Sequence, residues 1–331
     1  TYYLNFNFGV VSDYFDLTVD ISNITIAASG NRSNSGDGAI SVKNNYPINI
    51  IGGQFIGNYT GSAGGAIGSN VYGNITISGG VLFENNSSQT GGAIYSSGET
   101  LNISDATFNN NYSSSSGGAI AVTTTHSSNA LNTIVNIADD VVFSNNSATW
   151  GGALDLHSTT ESVLKTISGT FYGNIASSGG GAISTGGGRF LITDATFYNN
   201  TAQGVVGTES SDSGSGGAIN IGGGTNYFTF EGTINIYNNT AAKNGGAISV
   251  SYNTDTAIIS GDINIYNNTA YTGGGIYNVG TTTMSGNVNI YDNTATVTDG
   301  PQVYNNSGAT FNFYSGVINN DSGDNVYAVY N

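Results

Sequence analysis

Apolar and polar residues alternate in short runs over most of the chain, as in Ile75-Thr76-Ile77-Ser78 and Leu101-Asn102-Ile103-Ser104. Alternation of this kind marks a strand with one buried face. No stretch carries the helical apolar period, and glycine as frequent as it is here costs about 1 kcal/mol per site in a helix. The pattern therefore predicts an all-β chain with helix content near zero. Each run is followed by a turn of glycine or aspartate (Gly79-Gly80, Asp105, Gly169, Asp194) and then by a segment built on phenylalanine.

Two motifs alternate with these runs. Gly-Gly-Ala-Ile or a near variant occurs with its second glycine at 38, 65, 92, 118, 152, 181, 217, 246 and 274, and a degenerate Gly300-Pro301-Gln302-Val303 follows. Phe-x-x-Asn starts at Phe55, Phe83, Phe108, Phe143, Phe171 and Phe197 and becomes Ile-x-x-Asn at Ile236, Ile265 and Ile290. Between second glycines the spacing is 26 to 29 residues, with excursions to 34 and 36. The excursions read as surface loops, one after Ala121 through Thr123–Ser128 and one from Gly204 to Ser215. Insertions confined to fixed places are what a repeat with a shared core produces.

A unit of this length cannot bury an apolar face alone, but identical units stacked in parallel can. The expected architecture is a right-handed parallel β-helix of about 10 to 12 rungs of about 27 residues, with three short strands per rung. The glycine pair supplies a tight corner or a positive φ, and the alanine after it is small because a corner leaves little room. The isoleucines and phenylalanines stack inward. The asparagine three places after each Phe falls at the next corner, where it forms an amide ladder and tolerates a left-handed backbone. Residues 1–35 form an aromatic strand or cap, 36–303 the repeats and 304–331 a C-terminal strand segment, all in one elongated domain.

Composition narrows the function classes. The 331 residues include 21 Asp and Glu but only 5 Lys and Arg, for a net charge of −16. That balance excludes nucleic acid as a partner, because phosphate contacts need clustered cations. With no cysteine there is no disulfide and no thiolate metal site. No apolar run is long enough to form a transmembrane helix. The chain begins without a signal peptide, as a processed chain or trimmed fragment would.

The paired Gly-Gly-Ala-[Ile/Leu/Val] and Phe-x-x-Asn motifs resemble the repeats of the chlamydial polymorphic outer membrane proteins and of related autotransporter passengers. The resemblance covers roughly residues 36–300. It implies a secreted or surface-displayed β-helix used in adhesion and surface structure, extracellular or on the surface of a bacterium. The chain departs from that family in having no C-terminal membrane-barrel segment and no cysteine, so the mode of attachment does not carry over.

Candidate chemistry is sparse. Right-handed β-helices also host polysaccharide lyases and hydrolases, whose sites need carboxylates clustered with Lys, Arg or His. Asp139-Asp140 and Asn253-Thr254-Asp255 resemble fragments of galacturonan hydrolases, but in the wrong order and with no Gly-His-Gly or Arg-x-Lys partner. Arg32, Lys43, Lys165, Arg189 and Lys243 are scattered, and His126 and His157 read as solvated loop residues. No cofactor is expected. Structural calcium remains open, with single Asp residues at turns. Sequons at Asn58, Asn85, Asn86, Asn111, Asn145, Asn199, Asn238 and Asn267 arise mostly from the repeat itself.

One surface feature stands apart. The residue after the inward Phe or Ile faces out, and in the later rungs it is Tyr172, Tyr198, Tyr237, Tyr266 and Tyr291, with Tyr314 expected to continue the column. The column reads either as stacking between equivalent residues or as a contact stripe for a surface glycan or protein. The ends are also aromatic: Tyr2, Tyr3, Leu4, Phe6 and Phe8 at one, Val326, Tyr327, Val329 and Tyr330 at the other. Unpaired edges of this kind join molecules unless capped. The expected function is a non-catalytic extracellular solenoid, either a filament subunit that self-associates end to end or laterally, or a surface adhesin. A carbohydrate-active β-helix enzyme is the alternative.

Overall fold

The computed structural model describes residues 19–27, 38–43, 47–70, 74–98, 100–123, 133–157, 163–204, 213–296, 300–319 and 329–330. Among them there is no helix, and strands of successive turns pair in parallel, like residue on like residue. The chain is a β-solenoid. Its Phe column passes through eleven positions in register, from Ile26 through Phe55 to Phe197 and on to Ile318. At about 4.8 Å per step, the stack is about 50 Å tall. Val19–Ala27 lies on Ile48–Ile56, and Val303–Asn305 pairs with Val329–Tyr330, so the strand columns extend past residues 36 and 303.

The core is one continuous apolar stack. From Phe55 to Phe197 six buried rings lie face to face, with centroids 4.7–4.9 Å apart and planes within 3–10° of parallel. The isoleucines after the glycine pairs, with Leu154 among them, form a second buried column from Ile40 to Ile276 and on to Val303. A third face carries Ile50, Ile77, Ile103 and their successors to Met284.

Eight successive turns hold a fourth strand that the sequence pattern did not distinguish from a spacer. The six or seven residues between asparagine and glycine are long enough to pair, and they form a separate sheet of eight short strands from Ser87–Thr90 to Thr294–Ala295. Its inward residue is small, as at Ala176, Ala202, Ala241 and Ala270, because this corner is narrow.

The glycine pair works by two different mechanisms. Gly151 turns the chain at φ 60°, which an L side chain rarely adopts. Gly152 has no such φ, but a Cβ there would lie 2.1 Å from the carbonyl oxygen of Gly181 in the next turn. The first glycine makes the corner, and the second lets neighbouring turns close on each other.

The motif asparagines form the expected ladder. Asn86 Nδ2 donates to Asn111 Oδ1 at 3.0 Å and to the Phe55 carbonyl at 2.8 Å, and the same pattern repeats down to Asn293. The left-handed backbone, however, belongs to the preceding residue: Asn85, Asn110, Asn145, Asn199, Asn238, Asn267 and Asp292 carry φ of 53–56°. The two roles fall on adjacent residues because the ladder amide must point into the corner while the left-handed residue turns outward. At the last turn Gln302, in the degenerate motif, accepts from Asn293 Nδ2 at 2.7 Å and closes the ladder.

The insertion at 205–212 and the excursion at 124–130 lie outside the described residues, as do Tyr2, Tyr3, Leu4, Phe6, Phe8, Arg32, His126, Val326 and Tyr327. A Cβ on Gly214 would be 3.0 Å from Gly204 Cα, so the chain leaves and rejoins the solenoid at one point.

Candidate interaction face

The tyrosines follow from strand parity. Each comes immediately after an inward Phe or Ile, so its ring leaves the opposite side of the sheet. Tyr172, Tyr198, Tyr237, Tyr266 and Tyr291 stand in register one turn apart. Their rings stack with centroids 5.0–5.3 Å apart and planes within 3–10° of parallel. This geometry decides what the column offers. The flat faces are taken up by neighbouring rings, and the outward surface is a row of ring edges and hydroxyls. Partial burial, then the neighbouring phenol, push Tyr198, Tyr237 and Tyr266 above the usual tyrosine range.

Beside the tyrosines runs a second, exterior amide ladder. Asn264 Nδ2 donates to Asn235 Oδ1 at 3.1 Å, and Asn289 Nδ2 to Asn264 Oδ1 at 3.2 Å. Further along the strands, Asn287 donates to the Asp262 carboxylate at 2.9 Å. In earlier turns the tyrosine column continues as a hydrogen-bonded polar chain, Ser144 to Asn109 at 2.9 Å and Asn109 to Glu84 at 2.8 Å.

Tyr314 does not continue the column. Val317 and Ile318 pair with Asn289 and Ile290, which sets Asn319 at the Tyr291 position. Tyr314 instead lies in the turn before that strand and is 75% exposed. The end residues Val329 and Tyr330 pair in parallel with Val303 and Tyr304. A second tyrosine pair, Tyr277 and Tyr304, stacks at 5.4 Å on the outer side of the Ile face. It obeys the same rule of position, following Ile276 and Val303, and the sequence reading passed over it.

The ionisable candidates are dispersed. His157 ends the strand Leu154–His157, half-exposed, with Nε2 3.2 Å from Asp155, whose carboxylate is buried. Hydrogen bonding to Asp155 raises its pKa above the usual histidine value. It is therefore a strand-end residue rather than the solvated loop residue expected. Asp255 accepts from Asn226 Nδ2 at 2.8 Å and from the Asn226 and Tyr252 backbone N–H groups at 3.1 Å, so it holds the chain. Asp140 accepts from the Asp105 N–H at 2.8 Å.

Lys165 is the surprise among the cations. It is fully buried in the column that elsewhere carries Leu101, Val135 and Phe190, with Nζ 5.3 Å from the Phe190 ring centre.

An open groove of about 440 Å³ crosses the middle face. It is lined by Asn102, Asn136, Thr166, Asp139 and Asp194 among others, with no Lys, Arg or His. Among the described residues no three His, Cys, Asp or Glu side chains come together to hold a metal, and no helix is long and apolar enough to cross a membrane.

The Chlamydia polymorphic membrane protein repeat matches the chain in six stretches, residues 80–97, 105–123, 140–155, 168–186, 194–222 and 233–251. Most of these stretches run from the turn before the Phe segment, across the asparagine and glycine corners, to the Ile strand, and so hold both ladder and corner. No curated protein and no solved structure matches the chain.

Proposed function

We propose that this chain, which carries Chlamydia polymorphic membrane protein repeats on a β-solenoid, is a non-catalytic adhesive surface protein whose tyrosine and asparagine face makes the contact. Repeats and fold together support a bacterial surface protein. Contact through the tyrosine face rests on one observation above the others: five outward tyrosines in register, three of them beside an exterior amide ladder, a regular surface on a chain of net charge −16. Tyrosine is favoured at interfaces because it combines apolar area with a hydroxyl.

The test is binding of purified protein to host-cell surfaces, comparing the native chain with a Tyr198→Ser, Tyr237→Ser, Tyr266→Ser variant and a control with three substitutions on the opposite side. Loss of binding in the face variant alone supports the reading. Equal binding by all three sinks it. A filament would instead show as fibres of uniform width by electron microscopy, which monodisperse single-chain rods would contradict.

A further inference from the structure

The same face carries a more specific reading, which rests on its being the contact surface: we infer that it binds a neutral, extended β-1,4-linked glycan lying along the solenoid axis, one sugar to each turn. Three observations converge.

The first is the repeat. Neighbouring tyrosine ring centres lie 5.0–5.3 Å apart, on strands spaced about 4.8 Å along the axis. An extended β-1,4-linked chain of glucose or N-acetylglucosamine advances one sugar in about the same distance, whereas an α-linked chain coils and loses register.

The second is the supply of hydrogen-bonding groups. Asn264, the middle of the three ladder amides, spends one N–H on Asn235 and one oxygen lone pair on Asn289, while Asn235 only accepts and Asn289 only donates. Each amide keeps at least one further N–H and one lone pair beyond these ladder bonds. The adjacent tyrosine hydroxyl, which bonds to no other described residue, adds a donor and an acceptor. Three successive turns thus pair an amide with a tyrosine hydroxyl, Asn235 with Tyr237, Asn264 with Tyr266 and Asn289 with Tyr291, and a β-1,4-linked glycan, whose alternate sugars are turned over, brings the same hydroxyls back at every second turn. The ring faces are already stacked, so recognition is by edge and hydroxyl rather than by stacking a sugar on a ring.

The third is charge. Lys165 is buried, and neither Arg189 nor Lys243 stands in the tyrosine column or the exterior amide column. Sulfated or uronic-acid polymers are repelled by a net charge of −16. A second copy of the chain, equally acidic and bringing its own Asp262 and Asp292 to the same area, is disfavoured for the same reason. A neutral glycan meets no such penalty.

The experiment is titration calorimetry of the whole chain with chitohexaose and cellohexaose, with maltohexaose and heparin fragments as controls, and with shorter β-linked oligomers for length dependence. Saturable binding is expected for the β-1,4-linked hexamers, rising from trimer to hexamer and absent for both controls. Tyr237→Phe with Tyr266→Phe keeps the stack but removes two hydroxyls, and is expected to weaken binding roughly 10-fold or more with an unchanged circular dichroism spectrum. No binding to either β-linked hexamer, equal binding to maltohexaose, or indifference to the paired Phe substitutions overturns the inference. If cell binding still depends on the tyrosines, only the glycan assignment falls and the contact face stands. Sedimentation showing side-by-side dimers lost in the tyrosine variant likewise overturns the glycan in favour of a second copy.

Discussion

Asn200 Oδ1 accepts both the backbone N–H of Asn174, at 3.1 Å, and its side-chain amide, at 2.9 Å, so one amide of each turn holds two donors of the turn before it. Asn200 in turn donates to the Phe171 carbonyl at 3.0 Å and to Asn239 at 2.9 Å. A fully buried polar group is left with its whole desolvation penalty when its partner is removed.

Replacing Asn200 with Ala strands groups on both neighbours, and a loss of about 2–3 kcal/mol or more is expected. Its exposed neighbour Asn199, at φ 56°, has the opposite sensitivity. Asn199→Gly is expected to change stability by no more than about 0.5 kcal/mol, since glycine accepts that φ. Urea unfolding followed by the fluorescence of Trp150, the single tryptophan, reads both.

The two kinds of glycine separate in the same assay. Gly152→Ala drives a Cβ to within 2.1 Å of the Gly181 carbonyl and forces adjacent turns apart, and a loss of about 3 kcal/mol or more is expected. Gly80 also has positive φ, but a Cβ there meets nothing within 4 Å. Gly80→Ala is expected to cost only about 1–2 kcal/mol, for the backbone conformation alone.

Lys165 makes stability depend on pH. Burial lowers its amine from 10.5 to about 8, so the folded chain holds that proton less tightly than the unfolded chain. The folded state therefore loses stability as pH falls from 10.5 to about 8, and the loss is complete below that. The displacement corresponds to about 3 kcal/mol. Lys165→Met is expected to raise stability at pH 7 by a similar amount, and its advantage should shrink steadily between pH 8 and pH 10. A melting-temperature series for both chains over that range checks the sign and the window.

Most of the fold was legible because every turn repeats the same physical problem. Parity placed Phe55 to Phe197 inside and the tyrosines outside, and the spacing of the asparagines gave the ladder. What escaped was local. The split between Asn85, which turns, and Asn86, which ladders, depends on which way each amide points, and both residues are asparagine. Gln302 looked like decay of a motif, yet it supplies the acceptor that a final asparagine needs. Lys165 sits at an inward parity position between Leu164 and Thr166, and the signal was present. A cation among Leu101, Val135 and Phe190 was read by its type instead of its register. Tyr314 failed for the converse reason: its spacing from Tyr291 suited the column, but Thr310–Phe313 belongs to the middle face.

The central claim is that equivalent residues of successive turns lie one strand apart, and the absence of cysteine allows a direct measurement. Thr240 and Thr269 are register partners on adjacent turns, and Thr201 lies one turn further away. A disulfide requires Cα atoms within about 7 Å. The Thr240→Cys, Thr269→Cys chain should oxidise to an intramolecular disulfide under mild conditions, and the Thr201→Cys, Thr269→Cys chain, spanning about 10 Å over two turns, should not. Ready closure of the second pair with none of the first would contradict the stacked solenoid.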